Sequence, residues 1–166
     1  MKFTVQDEEG MVATGERLAK ACRGPLVFYL HGPLGAGKTT LVRGFMRGMG
    51  YGAAVKSPTY TLIEPYEVGP WQVYHLDLYR VGDAAELDYL GLRELQDKHT
   101  IVLVEWPERG KGLLPAADVV ITFDYADPGR WISVEARSVA GKNFMETCEG
   151  INLNPGGIMP ISRNGR

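Results

Sequence analysis

Positive charge is in short supply in this chain. Eighteen Lys and Arg stand against twenty Asp and Glu, a formal net charge of −2. That balance offers no general attraction to nucleic acid or to an anionic membrane surface. Any contact with RNA would therefore need a partner to supply the basic surface. Cysteine is scarce too: Cys22 and Cys148 are the whole complement, and their spacing is not that of metal ligands. A disulfide framework is excluded and a reducing compartment is the expectation. No apolar run approaches the length needed to span a bilayer. The N-terminal stretch MKFTVQDEEG turns acidic too early for a secretory signal. The expected location is the cytoplasm, with no membrane partner. There is no internal repeat. What remains is 166 residues, 45% hydrophobic and 23% charged, enough for one soluble domain with a sizeable core.

Glycine, by contrast, is concentrated where it matters most. The stretch Leu26–Thr40 reads LVFYLHGPLGAGKTT. Its first five residues form a buried strand, and a loop with Gly32, Gly35 and Gly37 leads into Lys38, Thr39 and a helix. Gly32 to Thr39 satisfies the phosphate-binding pattern G-x-x-x-x-G-K-[ST]. Glycines let the backbone turn tightly and bring N–H groups close to phosphate oxygens, where side chains would obstruct them. The helix start adds unpaired N–H groups and the positive end of a dipole. Lys38 can reach the β and γ phosphates, and the Thr39 hydroxyl can ligate magnesium. A strand before and a helix after are the context the motif requires. The motif therefore predicts binding of a nucleoside triphosphate with magnesium.

In chain order, residues 2–5 suit a short edge strand, and Asp7 suits a helix N-cap. Met11, Leu18 and Cys22 then share one face of a helix that ends at Arg23-Gly24-Pro25. Asp7 and Glu8 read either as cap and first-turn charge or as neighbours of a bound base. Beyond the loop, Leu41, Val42, Phe45, Met46 and Met49 make a helical core stripe. Thr59 to Glu64 reads as a strand after Pro58. Gly69-Pro70 breaks the chain before a second strand, Trp71 to Leu78, making an antiparallel pair. Period-two alternation there puts Tyr74, Leu76 and Leu78 on one face and His75, Asp77 and Tyr79 on the other. An acid in mid-strand is either solvated beside Arg80 or functional. Asp83 and Gly91 bracket a short helix, and Leu92 to Gln96 suit a further turn.

Thr100 to Val104 is a continuous apolar strand that delivers Glu105 and Trp106 at its end. In phosphate-loop folds such a strand carries an acid to the magnesium site, usually Asp, here Glu105. Trp106 fits either the core or a shield over the nucleotide. Val119–Tyr125 and Trp131–Arg137, joined by Ala126-Asp127-Pro128-Gly129-Arg130, have hairpin chemistry. From Gly141 onward the pattern fades. Residues 1–140 are expected to form a single phosphate-loop domain and 141–166 an irregular C-terminal tail.

Taken together, HGPLGAGKTTLVRGF, VKSPTYTLIEPY, YHLDLYR and LVEWPER, in that order and at these separations, resemble the bacterial TsaE (YjeE) ATPase family. The likeness covers roughly residues 5–140. The phosphate loop is shared by many enzymes; the Ser57–Thr61, His75–Arg80 and Val104–Trp106 blocks are far more specific. The resemblance implies an α/β fold, a P-loop NTPase-like three-layer sandwich whose mixed, mainly parallel central sheet carries antiparallel additions. It also implies a role in making threonylcarbamoyladenosine beside the anticodon of tRNA. In that family the protein hydrolyses ATP in association with the transferase TsaD and its companion TsaB, and resets that complex between turnovers. Contact with tRNA would be indirect, through the complex.

Carried over by position, the loop Pro33, Leu34, Gly35, Ala36, Gly37 and Lys38, with Thr40 behind it, would hold the phosphates. Thr39 and Glu105 would hold magnesium. Ser57, Thr59 and Asp77 would lie near the γ-phosphate, with Trp106 beside the site, and Glu8 and the Gly129-Arg130 turn would flank the adenine. Lys38, Asp77 and Glu105 are the expected catalytic residues. Asp77 would orient the attacking water or hold magnesium through a water, and both readings stay open. Two other classes compete with an ATPase that works on a partner: a small-molecule kinase using the same loop, and a nucleotide-dependent interaction module without significant turnover. A kinase wants an Arg-dense lid over the phosphates, and the glycine-rich and acidic connections here offer no obvious one, although Arg80, Arg93 and Arg109 are available.

Overall fold

A computed structural model describes residues 1–153. The elements run β1 (Lys2–Val5), α1 (Glu8–Ala21), β2 (Leu26–His31), α2 (Lys38–Gly48), β3 (Ile63–Val68), β4 (Trp71–Asp77), β5 (Thr100–Glu105), β6 (Val119–Tyr125), β7 (Arg130–Ala136) and α3 (Val139–Glu149). Short 3-10 helices cover Ala84–Leu90, Leu92–Leu95 and Pro107–Gly110. The seven strands form one sheet in the order β1-β7-β6-β2-β5-β4-β3. The four central strands, β6, β2, β5 and β4, are parallel. β3 closes one edge antiparallel, and β7 and β1 extend the other the same way.

The run Thr100–Glu105 is apolar almost throughout because β5 lies mid-sheet, and all six of its residues are buried. Successive side chains point to opposite faces. Ile101 and Leu103 join a core with Phe28, Leu30, Leu41, Phe45 and Phe144, under the three α-helices. Val102 and Val104 join a second core with Leu76, Leu78, Leu87 and Leu92. This is a three-layer α/β arrangement, in which 3-10 turns and loops supply the layer opposite the α-helices.

The helical layer is unusually close where α1 meets α2. A Cβ on Gly15 would stand 2.2 Å from the Leu41 carbonyl oxygen, and one on Gly44 2.1 Å from that of Val12. Only glycine permits that approach of two backbones. An Arg47–Glu16 ion pair at 3.0 Å crosses the same seam at the surface. The expected caps are present: Asp7 accepts from Gly10 N–H at 2.8 Å, and Asp83 from Ala85 N–H at 3.0 Å. Cys22 and Cys148 are both free and buried, and burial pushes each thiol up to about 12. Among the described residues no helix is long and apolar enough to cross a membrane.

Two expectations are corrected. The strand read over Thr59–Glu64 begins only at Ile63. Leu62 takes a left-handed φ of 66° and its N–H donates to the Pro58 carbonyl at 2.8 Å, so residues 58–62 form a turn. The β-branched run resembled a strand, but a local hydrogen bond closed it first. Second, the tail expected to be irregular from Gly141 is helical through Glu149. Ser138 caps α3 by accepting from Gly141 N–H at 3.0 Å, and Phe144 and Cys148 pack into the core. Too few apolar residues mark α3 for its period to be read, and Gly141 itself interrupts it. That glycine is needed where the helix meets β6: a Cβ there would stand 2.0 Å from the Asp118 carbonyl oxygen. The expected tail over 154–166 lies outside the described residues.

Candidate functional site

Because β2, β4 and β5 run parallel, their C-terminal ends open on one edge of the sheet, where α/β folds place their ligands. The pairing register sets Asp77 opposite Glu105, and Glu105 opposite Leu30 just before the glycine loop. Thus two acids from different strands meet the phosphate-binding motif with no help from sequence proximity.

The loop enters α2 through Gly37, whose φ of 101° is left-handed, and no side chain caps the helix start. The first-turn N–H groups of α2 are therefore free to face an anion. Lys38 is almost completely buried and donates to the carbonyls of Gly32 and Pro33 at 2.6 and 2.9 Å. Its ammonium also sits 4.4 Å from the Trp106 ring centroid. Burial lowers the Lys38 pKa from the usual lysine value, while Glu105, Asp77 and Glu108 pull the other way. Trp106 itself adopts a left-handed φ of 57°, an uncommon conformation for a bulky residue. That backbone turns the indole back over the loop.

The Thr39 hydroxyl is shared between both oxygens of Glu105, at 3.0 and 2.9 Å. Asp77 is held differently: Oδ1 accepts from Tyr79 N–H at 3.0 Å and Oδ2 from the Thr59 hydroxyl at 3.1 Å. Thr59 is joined in turn to the Ser57 hydroxyl at 2.8 Å. The corrected turn at 58–62 is what folds Thr59 back onto Asp77, and Leu62 secures it by accepting from Asp77 N–H at 3.0 Å. Asp77 and Glu105 are nearly inaccessible, so the reading of a solvated mid-strand acid does not hold.

A cavity of 420 Å³ is lined by Leu34 to Thr40 and by Thr59, Asp77, Tyr79, Arg80, Glu105 and Trp106. A second, of 350 Å³, lies on the other side of the loop. Glu8, Met11, Gly129 and Arg130 line it, together with Gly35, Ala36, Gly37 and Thr40. Arg130 braces the loop from this side, donating to the Gly35 carbonyl at 3.3 Å while stacking 4.6 Å from the Tyr125 ring. Asp7 both caps α1 and lines this cavity, so its two readings are compatible.

The expected residues are therefore brought together around the loop, in two groups. Pro33 and Ser57 stand one step back, as a carbonyl under Lys38 and a hydroxyl behind Thr59. Residues missed from the sequence are His75, whose Nε2 lies 2.7 Å from Glu105 Oε2, and Tyr79 and Arg80 in the cavity wall. Their signals were a shared strand face or adjacency with Asp77 and a place in the His75–Arg80 block, neither of which assigns them a contact.

Chemically, an anion on the loop would meet the free N–H groups and the Lys38 ammonium. A hard cation would meet the Thr39 hydroxyl and a Glu105 oxygen. Among the described residues no group of three or more His, Cys, Asp or Glu forms a metal cage. Such an oxygen-poor site fits magnesium, which keeps waters and takes phosphate oxygens from its substrate.

Residues 5–132 match the family described as threonylcarbamoyl adenosine biosynthesis protein TsaE. The TsaE protein of Haemophilus influenzae is 42% identical over 146 residues, covering 85% of this chain and 92% of that protein. The Bacillus subtilis TsaE protein is 34% identical over 153 residues, covering 92% and 94%. The crystal structure of Bacillus subtilis YdiB superposes with a TM-score of 0.68 at 30% identity, covering 90% of this chain and 92% of that one. With the loop, the two strand-end acids and a family match spanning most of its length, the chain belongs to the TsaE family.

Proposed function

We propose that this protein is a magnesium-dependent ATPase that serves threonylcarbamoyladenosine formation on tRNA by acting on the TsaB–TsaD transferase complex. The observation that carries the nucleotide reading is the Thr39 hydroxyl seated on both oxygens of Glu105, beside Lys38 and an uncapped helix start. The pathway and the partners rest on family membership.

Magnesium, when bound to Thr39 and Glu105, would neutralise charge on the phosphates. The chain does the rest by position. Lys38 exchanges its carbonyl partners for β and γ phosphate oxygens, and its burial strengthens that contact. The loop N–H groups hold the phosphates along the helix axis. Asp77, fixed through the Tyr79 N–H, presents Oδ2 together with the Thr59 hydroxyl to orient the attacking water. Trp106 covers Lys38 and limits access of bulk water. The base lies on the opposite side of the loop, between Glu8 and the Gly129-Arg130 turn. Net charge of −2 fits a protein partner better than direct tRNA binding.

The test is ATP turnover by the purified chain with and without the TsaB–TsaD pair, and formation of the modified nucleoside in the reconstituted reaction. Magnesium-dependent hydrolysis that increases with the pair, and modification that stops without this chain, are expected. Absence of magnesium-dependent nucleotide binding, or modification that proceeds equally without it, would overturn the reading.

A further inference from the structure

Histidine 75 is completely buried in mid-strand. Strand alternation places Val73, His75 and Asp77 on the face that carries the α-helices. His75 pairs in register with Leu103, two residues before Glu105 on the neighbouring parallel strand. Side chains lean along the strand direction, and the imidazole reaches diagonally to Glu105, Nε2 to Oε2 at 2.7 Å. A carboxylate oxygen accepts, so Nε2 carries the hydrogen and donates. The other ring nitrogen, Nδ1, has no hydrogen-bond partner among the described residues. An apolar side chain would therefore avoid a desolvation cost that His75 incurs. Stability alone gives no reason for an imidazole here.

The contact with Glu105 does give one. Thr39 donates to both oxygens of Glu105, but only Oε2 also receives the imidazole. The two oxygens are thereby made unequal, and the carboxylate cannot rotate without losing a buried hydrogen bond. We infer that His75 is the positioning residue of the magnesium site: it anchors Glu105 through Oε2, leaving Oε1 with Thr39 as the oxygen pair offered to the cation. This rests on the magnesium-nucleotide reading above. It assigns no proton transfer to His75, and His75 touches no phosphate.

Three variants separate positioning from packing. His75→Gln keeps an N–H donor at about the reach of Nε2, His75→Met fills the space without a donor, and His75→Asn carries a donor too short to reach Glu105. The readout is calorimetric binding of a non-hydrolysable ATP analogue across a magnesium titration, with analogue binding in chelator as the reference. For H75M and H75N the magnesium concentration at half-effect should rise by about 10-fold or more, the usual result of losing a hydrogen bond to a metal ligand. Binding in chelator should stay at the wild-type level, and H75Q should restore the midpoint to within about 3-fold. If H75M does not fold, H75N and H75Q carry the same contrast. A wild-type midpoint in H75N, or one in H75Q displaced as far as in H75N, would overturn the inference while leaving the nucleotide reading intact. A wild-type chain without any magnesium effect on analogue binding would overturn both.

Discussion

The two cavities that flank the phosphate loop are built in opposite ways. On one side, Thr39, Glu105, His75, Asp77, Thr59 and Ser57 form two chains of side-chain hydrogen bonds anchored on three buried members, Glu105, His75 and Asp77. On the other, Glu8, Gly129 and Arg130 line a cavity whose loop contacts are mainly to backbone: Arg130 donates to the Gly35 carbonyl and to that of Gly129. Buried side-chain networks tolerate little displacement, because each lost partner strands a desolvated polar group. Contacts between half-exposed side chains and backbone are individually replaceable. The first arrangement suits chemistry that depends on position, the second suits holding a flat base. Substitutions on the phosphate side should therefore stop turnover, whereas those on the base side should weaken affinity.

The largest effect is expected for Lys38→Ala, which removes the only cation buried at the loop among the described residues. Hydrolysis should fall by about 100- to 1,000-fold, the scale of losing one preorganised charge-stabilising donor. Steady-state turnover checked against an unchanged circular dichroism spectrum tests this, and full activity would remove Lys38 from the mechanism.

Asp77→Asn comes next. It keeps the shape and the contact with Thr59 but loses the carboxylate, so hydrolysis with the partner complex should drop by about 100-fold while analogue binding persists. A variant that turns over normally would make Asp77 a structural residue and break the contrast between the two sides.

Gly44→Ala tests whether the sides are mechanically separate. The added Cβ would force apart α1, which carries Asp7 and Glu8, and α2, which carries the loop. Stability should fall by about 1–3 kcal/mol, as overpacking does. Nucleotide affinity should weaken more than turnover at saturation. Equal losses in both would show that the two cavities share one packing element more tightly than their hydrogen bonds suggest.

Arg130→Ala should do least. Losing the stack on Tyr125 and the bond to Gly35 should weaken ATP binding by a few-fold, about 0.5–1 kcal/mol, with turnover at saturation unchanged. A collapse of turnover would place Arg130 with the phosphate network instead. The partner side has its own test. Affinity for the TsaB–TsaD pair should be higher with a non-hydrolysable ATP analogue than with ADP, since a switch acts only through differential affinity for its two states. Gel filtration with each nucleotide measures it, and equal affinities would leave hydrolysis without a mechanical output.

Local rules made much of this protein legible from sequence. The glycine spacing before Lys38, the apolar runs of β2 and β5, the caps at Asp7 and Asp83 and the hairpin at Asp127-Pro128 are decided by neighbouring residues, because backbone geometry and short-range hydrogen bonds act within a few positions. The phosphate loop needed nothing more. Other features were decided only when the chain closed on itself. Residues 58–62 have strand composition yet turn, and the gain is Thr59 against Asp77, eighteen residues away in sequence. The helix at Val139–Glu149 follows from packing Phe144 against Phe28, at 5.3 Å between ring centroids. His75 looked like one more residue on a strand face until the register of β4 on β5 set it against Glu105. Alternation tells which side of a strand a residue faces. It cannot tell which neighbouring strand lies beside it, or in what register, because that depends on how distant segments share one sheet.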